Sequence, residues 1–194
     1  MNVLTTSRLL LRPWRDADRE PFAQLNADPL VMEHYPTTLS RSESDARVDE
    51  IVEHFAQHGW GLWAVELRAT RQFMGFVGLW PRPYVTGDPM VEIGWRLARA
   101  HWGRGYATEA ARAVLRFGFE RLALDEIVSF TVPQNERSRR VMERIGLYLD
   151  HGRDFDHPRV DPERYPHLVR HVLYAITRAD WEAQASPSWP NAAP

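Results

Sequence analysis

The order of segments predicts one mixed α/β (α+β) domain built on a mostly antiparallel sheet. Strand-like apolar runs outnumber helical stretches, and several follow one another directly. A single strand, glycine loop, helix and strand unit occupies 90–132. The chain has 194 residues, 44% of them hydrophobic, which suits one buried core and is short for two enzyme domains.

Taken in order, Leu9-Leu10-Leu11 between Arg8 and Arg12-Pro13 reads as a first strand. Asp16 is placed to cap a helix running towards Ala27, which Asp28-Pro29 ends. Ala46, Val48, Ile51, Val52 and Phe55 recur at helical spacing over 42–58, with Gly59 where a helix C-terminus wants it. Trp60 to Leu67 and Phe73 to Trp80, parted by a polar turn around Ala69-Thr70-Arg71, read as an antiparallel hairpin. After a turn at Gly87-Asp88-Pro89, Met90 to Leu97 forms a strand with one carboxylate, Glu92, and an internal Gly94 that suggests a bulge.

Ala107 to Leu122 carries Ala111, Val114, Leu115, Gly118 and Leu122 on one helical stripe, and Glu126 to Val132 suits a buried strand. A helix over 135–145 ends at Gly146. Leu147 to Phe155 and Leu168 to Ile176 read as the last strands, around a loop rich in proline and charge. The domain is expected over 1–182, and 183–194, rich in proline and small residues from Ser186, is expected to be a disordered tail.

A formal charge of -2 gives no global field to draw the chain to nucleic acid or an anionic membrane. With no cysteine there is no thiol nucleophile, disulfide or thiolate zinc site, which fits a reducing compartment. No leader-like N-terminus and no membrane-length apolar stretch is seen, so a cytoplasmic location is expected. His54 and His58 have the spacing of a helical metal pair, but no third ligand is identifiable; no metal is expected, and both read as a solvated face.

Gly103 and Gly105, with small Ala107, lie between a strand and an amphipathic helix, where bare amides can meet an anion at the helix's positive end; a tight structural turn would look the same. A Walker loop needs a Gly-Lys-Ser/Thr ending that is missing, and the dinucleotide fingerprint needs a third glycine where Thr108 stands. A nicotinamide enzyme is disfavoured on that ground.

The run Trp102-Gly103-Arg104-Gly105-Tyr106-Ala107 resembles the coenzyme A loop of the GNAT acetyltransferases, Gln/Arg-x-x-Gly-x-Gly/Ala, with Trp102 replacing the first residue. Its extension to Ala110 resembles the RimJ/RimL-type branch, as do Arg8 to Pro13, Glu92-Ile93-Gly94-Trp95, Asn135-x-x-Ser138 and His171-Val172-Leu173-Tyr174, so that the resemblance covers about 6–182. It implies the GNAT fold: seven strands, splayed between the fourth and fifth, flanked by about four helices. It also implies acetyl-CoA as co-substrate and an amine acceptor, protein N-terminus or small molecule, attacking directly in a ternary complex; a non-catalytic acyl-CoA-binding module is the alternative, and a homodimer is compatible.

By position, the resemblance puts Trp95, Arg96 and Leu97 along the pantetheine, the amides of Gly103, Arg104, Gly105, Tyr106, Ala107 and Thr108 at the pyrophosphate with Trp102 also at the cofactor, and Asn135 on the pantetheine amides, although Asn135 would equally serve as an N-cap. Glu92, in an apolar strand, is the candidate base with an expected raised pKa, against an outward-facing strand residue. The position of the family's usual tyrosine acid is Met142, leaving Ser138 to meet the thiolate or merely to cap its helix. Tyr35, Trp80 and Tyr84 border the acceptor, with Pro36 beside them; Asp156, with Asp154, His157 and Glu163, is placed to attract a cationic one, though acidic residues also form turns. Trp60, Trp63, Trp80 and Trp95 read mainly as core packing rather than a cage for a cation.

Overall fold

In the computed structural model, residues 2–82 and 90–185 are described; Tyr84, the expected turn at 87–89 and the tail from Ser186 lie outside them. The chain runs β1 (Leu4–Thr5), β2 (Leu9–Arg12), α1 (Arg19–Ala27), α2 (Arg41–His58), β3 (Leu62–Leu67), β4 (Gln72–Pro81), β5 (Val91–Leu97), α3 (Tyr106–Glu120), β6 (Glu126–Thr131), α4 (Glu136–Arg144), β7 (Tyr148–Leu149), β8 (Phe155–Asp156), β9 (Arg170–Thr177) and α5 (Arg178–Ala185). This is the expected mixed fold with two short strands more than foreseen. Leu4–Thr5 pairs with β2, and the stretch expected as one strand over 147–155 is broken. Asp150 turns the chain there, accepting from the Gly152 amide and from Arg153, which in turn grips Glu126. A fifth helix carries ordered structure through Ala185, beyond the expected boundary at 182.

Strand order is β1-β2-β3-β4-β5-β6-β9-β7, with β8 also on β9. All pairings are antiparallel except β5 with β6, which are parallel and meet at one pair, Glu92 opposite Val128. The expected splay is therefore present. The bulge expected at Gly94 is not: β4 and β5 keep one register from Gly75–Leu97 to Pro81–Val91. The irregularity sits between Val65 and Glu66, opposite the β4 segment holding Met74. Gly75 has φ +131° there, and a Cβ on it would lie 2.1 Å from the Arg96 carbonyl oxygen, so close strand approach demands glycine.

Local signals explain the helices. Ser40 accepts from the Glu43 amide while Glu43 returns a bond to the Ser40 amide, and Gly59 ends α2 at φ +74°. The α3 stripe Ala110, Ala111, Val114 and Leu115 joins Trp63, Phe22, Leu9, Ile93 and Ile127 in the main core. Burying each large apolar side chain contributes about 1.5–3 kcal/mol. Arg12, beneath this sheet edge, is 4% exposed and holds Asp18 through two bonds and Glu66 through a third. Those contacts pin β2, β3 and the turn leading into α1.

Candidate active site

The gap where β5 leaves β6 opens into a cleft of about 780 Å³. Its walls bring together most of the residues singled out from sequence: Glu92, Trp95, Arg96, Leu97, Trp102, Gly103, Gly105, Tyr106, Ala107, Thr108, Asn135, Ser138, Tyr35, Trp80 and the exposed Pro36. Arg104 and Asp156 do not line it. Arg104 is exposed, with its carbonyl accepting from Arg8, and Asp156 faces solvent 3.4 Å from Arg170.

The glycine loop leaves a row of backbone amides without protein acceptors among the described residues. Gly103 and Gly105 have φ +72° and +77°, and α3 starts from Gly105 with no side-chain cap. Among the described residues, none of the backbone amides from Gly103 to Thr108 donates to a protein acceptor. A row of bare amides at the positive end of α3 is the environment a diphosphate fits. The loop is anchored from behind. Glu109, in the first turn of α3, accepts from Thr6, Ser7 and the Arg8 amide and guanidinium at 2.5 to 3.1 Å. Trp102 donates to Leu97, and Arg137 lies over its ring at 4.3 Å.

This fold and loop have known counterparts. A family model described as an acetyltransferase (GNAT) domain matches residues 8–148. The chain belongs to the GNAT acetyltransferase family. It is 33% identical over 196 residues to FsC-acetyl coenzyme A-N(2)-transacetylase of Aspergillus fumigatus, covering 96% of this chain and 80% of that protein. It is 35% identical over 146 residues to the uncharacterized YkkB of Bacillus subtilis, covering 75% and 84%. A GNAT-family acetyltransferase from Bacillus anthracis superposes with a TM-score of 0.76 at 25% identity, over 92% of this chain and 99% of that one. The protein is thus an acetyl-CoA-dependent N-acetyltransferase.

Within this GNAT site, Glu92 is the one carboxylate among the described residues lining the cleft. The apolar surroundings expected for it are not found, because Arg82 Nε donates to Glu92 Oε2 at 2.5 Å. Asn135 does cap α4, accepting from the Ser138 amide at 3.2 Å while donating to Thr131 at 3.0 Å. An amide has a second lone pair and a second N–H, so ligand contact stays open to it. No protein hydrogen bond among those described holds the Ser138 hydroxyl. Met142, at the family tyrosine's position, is 1% exposed and belongs to the core.

The part of the GNAT cleft expected to border an acceptor has a different lining from the one foreseen. Asp154 turns inward to accept from the Leu173 amide, and Glu163 is exposed outside the lining. Of the expected set the loop contributes His157, which lines the cleft, together with Arg159, and β9 adds His171. Burial, then the neighbouring His171, Arg82 and Arg159, pushes the His157 imidazole down to about 4. Burial also lowers His171. His54 leaves its expected solvated face: it packs at a tilt against Trp80 at 4.4 Å and approaches Trp60 at 5.1 Å, whereas His58 is exposed. Trp63 is fully buried as expected, while Trp80 and Trp95 are half-buried cleft walls.

Arginines are the larger omission from sequence reasoning. Arg47, Arg82, Arg137, Arg140, Arg144 and Arg159 line the cleft along with Arg96. The three on α4 repeat at helical spacing, a signal available in the sequence. Arg47 comes from α2, Arg82 from just beyond β4 and Arg159 from a loop, and only tertiary structure gathers them. Among the described residues, no group of three or more His, Cys, Asp or Glu is arranged to hold a metal, and no helix is long and apolar enough to cross a membrane.

Proposed function

We propose that this chain transfers acetyl from acetyl-CoA to a primary amine by direct attack in a ternary complex, at a RimJ/RimL-type site in the cytoplasm. The observation that carries this reading is the row of unsatisfied amides at 103–108 beside the unpaired edge of β5. The amides of 103–108 would hold the diphosphate, and the β5 backbone at Trp95 to Leu97 would take the pantetheine as an added strand. Glu92, oriented by Arg82, would accept a proton from the ammonium directly or through water. The freed amine attacks the thioester carbon; as C–N forms and C–S breaks, the oxyanion takes a bond from a β5 amide near Ile93 to Trp95. Ser138 then donates to the departing thiolate.

Thermal unfolding with and without acetyl-CoA, beside free CoA, tests the pocket. Ligand at a hundred times its Kd stabilises by about 2.7 kcal/mol. Both forms should raise Tm, after which amines and peptides with free N-termini are screened by thiol release. Glu92→Gln should keep the shift and lose about 100-fold or more in kcat, the scale of general-base catalysis. An absent shift at saturating ligand removes the cofactor assignment, and an unchanged kcat removes Glu92 as base.

A further inference from the structure

Arg96 is a cation in the cleft wall without an acidic partner. No carboxylate among the described residues lies within ion-pair distance of it, and its buried Nε has no hydrogen-bond acceptor. What holds the guanidinium is neutral: Asn26 Oδ1 accepts from Nη1 at 2.7 Å, and the rings of Tyr35 and Phe76 lie 4.1 and 5.7 Å from Cζ. Alternation along β5 puts Arg96 on the same face as Glu92, the face covered by α1 and the segment bearing Tyr35. The bare amides of 103–108 are elsewhere, on the loop beyond β5. A partly buried guanidinium with one donor unfilled and no ion pair among the described residues favours an anion that arrives with a ligand. Arg47 and Arg82 also line the cleft, but each has a carboxylate partner, Glu50 and Glu92, so among the described residues Arg96 differs from both in having none.

We infer that the acceptor is a small primary amine that also carries an anionic group, carboxylate or phosphate, and that Arg96 binds that group. This deepens the acetyltransferase reading and rests on it. The amine end is then directed to Glu92 and the anionic end to Arg96, so one strand reads both charges of the acceptor.

The test uses the intact chain saturated with acetyl-CoA and three sets of amines: L-phenylalanine against its amide, O-phosphoethanolamine against ethanolamine, and spermidine as the polycation. Thiol release gives kcat/KM, and thermal shift of the CoA-saturated protein gives binding. The anionic member of at least one pair should exceed its neutral partner by about tenfold or more, the scale of one hydrogen bond to a charged group. The two pairs separate carboxylate from phosphate. Arg96→Gln should erase that preference, and Arg96→Lys should retain part of it. The inference is overturned if neutral amines or spermidine are preferred, if the preference survives Arg96→Gln, if the variant weakens acetyl-CoA instead, or if no anionic probe binds or reacts. Failure of acetyl-CoA itself to stabilise the protein is a different outcome, which removes the transferase reading along with this one.

Discussion

The indole nitrogen of Trp102 donates to the carbonyl oxygen of Leu97 at 2.7 Å, tying the glycine loop to the last residue of β5. This bond gives Trp102 a role that a Gln or Arg at the family's first loop position would fill differently. Trp102→Phe keeps a ring for Arg137 and removes the donor. It should lower stability by about 1 kcal/mol and raise the Kd for acetyl-CoA. Urea unfolding and calorimetric titration measure the two effects; unchanged affinity would reduce the bond to a structural tie.

Gly103 and Gly105 occupy left-handed backbone with open space around them, the nearest atom to a Cβ on Gly105 being an Arg8 nitrogen at 3.6 Å. Alanine at either position therefore meets no wall, only backbone strain of about 1–2 kcal/mol. Both variants should fold with that loss. They should bind acetyl-CoA more weakly than a control at Gly59, which is also left-handed at φ +74° but distant from the loop in sequence.

Glu109 fastens the loop from behind. Burial alone would raise its carboxyl, yet donors from Thr6, Arg8 and Ser7 hold it below the ordinary 4.5. Its stabilisation is full above the ordinary value and is lost as pH falls through the depressed one. Glu109→Gln should cost about 2 kcal/mol at neutral pH, with the gap from wild type closing in acid. A pH-independent gap in urea midpoints would show that packing, not charge, holds the loop.

His157 titrates in the opposite chemical sense with the same direction in pH. The folded chain keeps its imidazole neutral down to about 4, below the ordinary 6.5. Stability from burying the neutral ring is complete above 6.5 and lost as pH falls towards 4. His157→Gln should therefore lose less stability than wild type between about pH 7.5 and about pH 5. His171, shifted the same way, leaves part of the slope in place. Equal slopes in the two proteins would contradict the burial seen here.

What was legible in the sequence was local. The stop at Gly59 and the glycines at 103 and 105 announce their backbone within a few residues, and the structure obeys them. The wrong reading at Gly94 has the same origin: a mid-strand glycine is a local sign of a bulge, whereas the strain fell on Gly75, pressed against the Arg96 carbonyl of the next strand. Side-chain partners across the fold were not legible. Nothing in the spacing says that Arg82 grips Glu92, that His54 packs on Trp80, or that Asp154 turns away from the cleft to cap Leu173. Each depends on where two distant segments come to rest.

Because β5 and β6 share only the Glu92–Val128 rung, the sheet is mechanically two plates riveted at one point. A rivet carries tension but little torque, so the angle between the plates is governed by what spans the gap. A substrate arm bonded along β5 would add rungs next to that rivet and stiffen the joint. An acetyl-CoA arm lying along β5 would thus supply the rungs the two plates lack, and the joint should be stiffer occupied than empty.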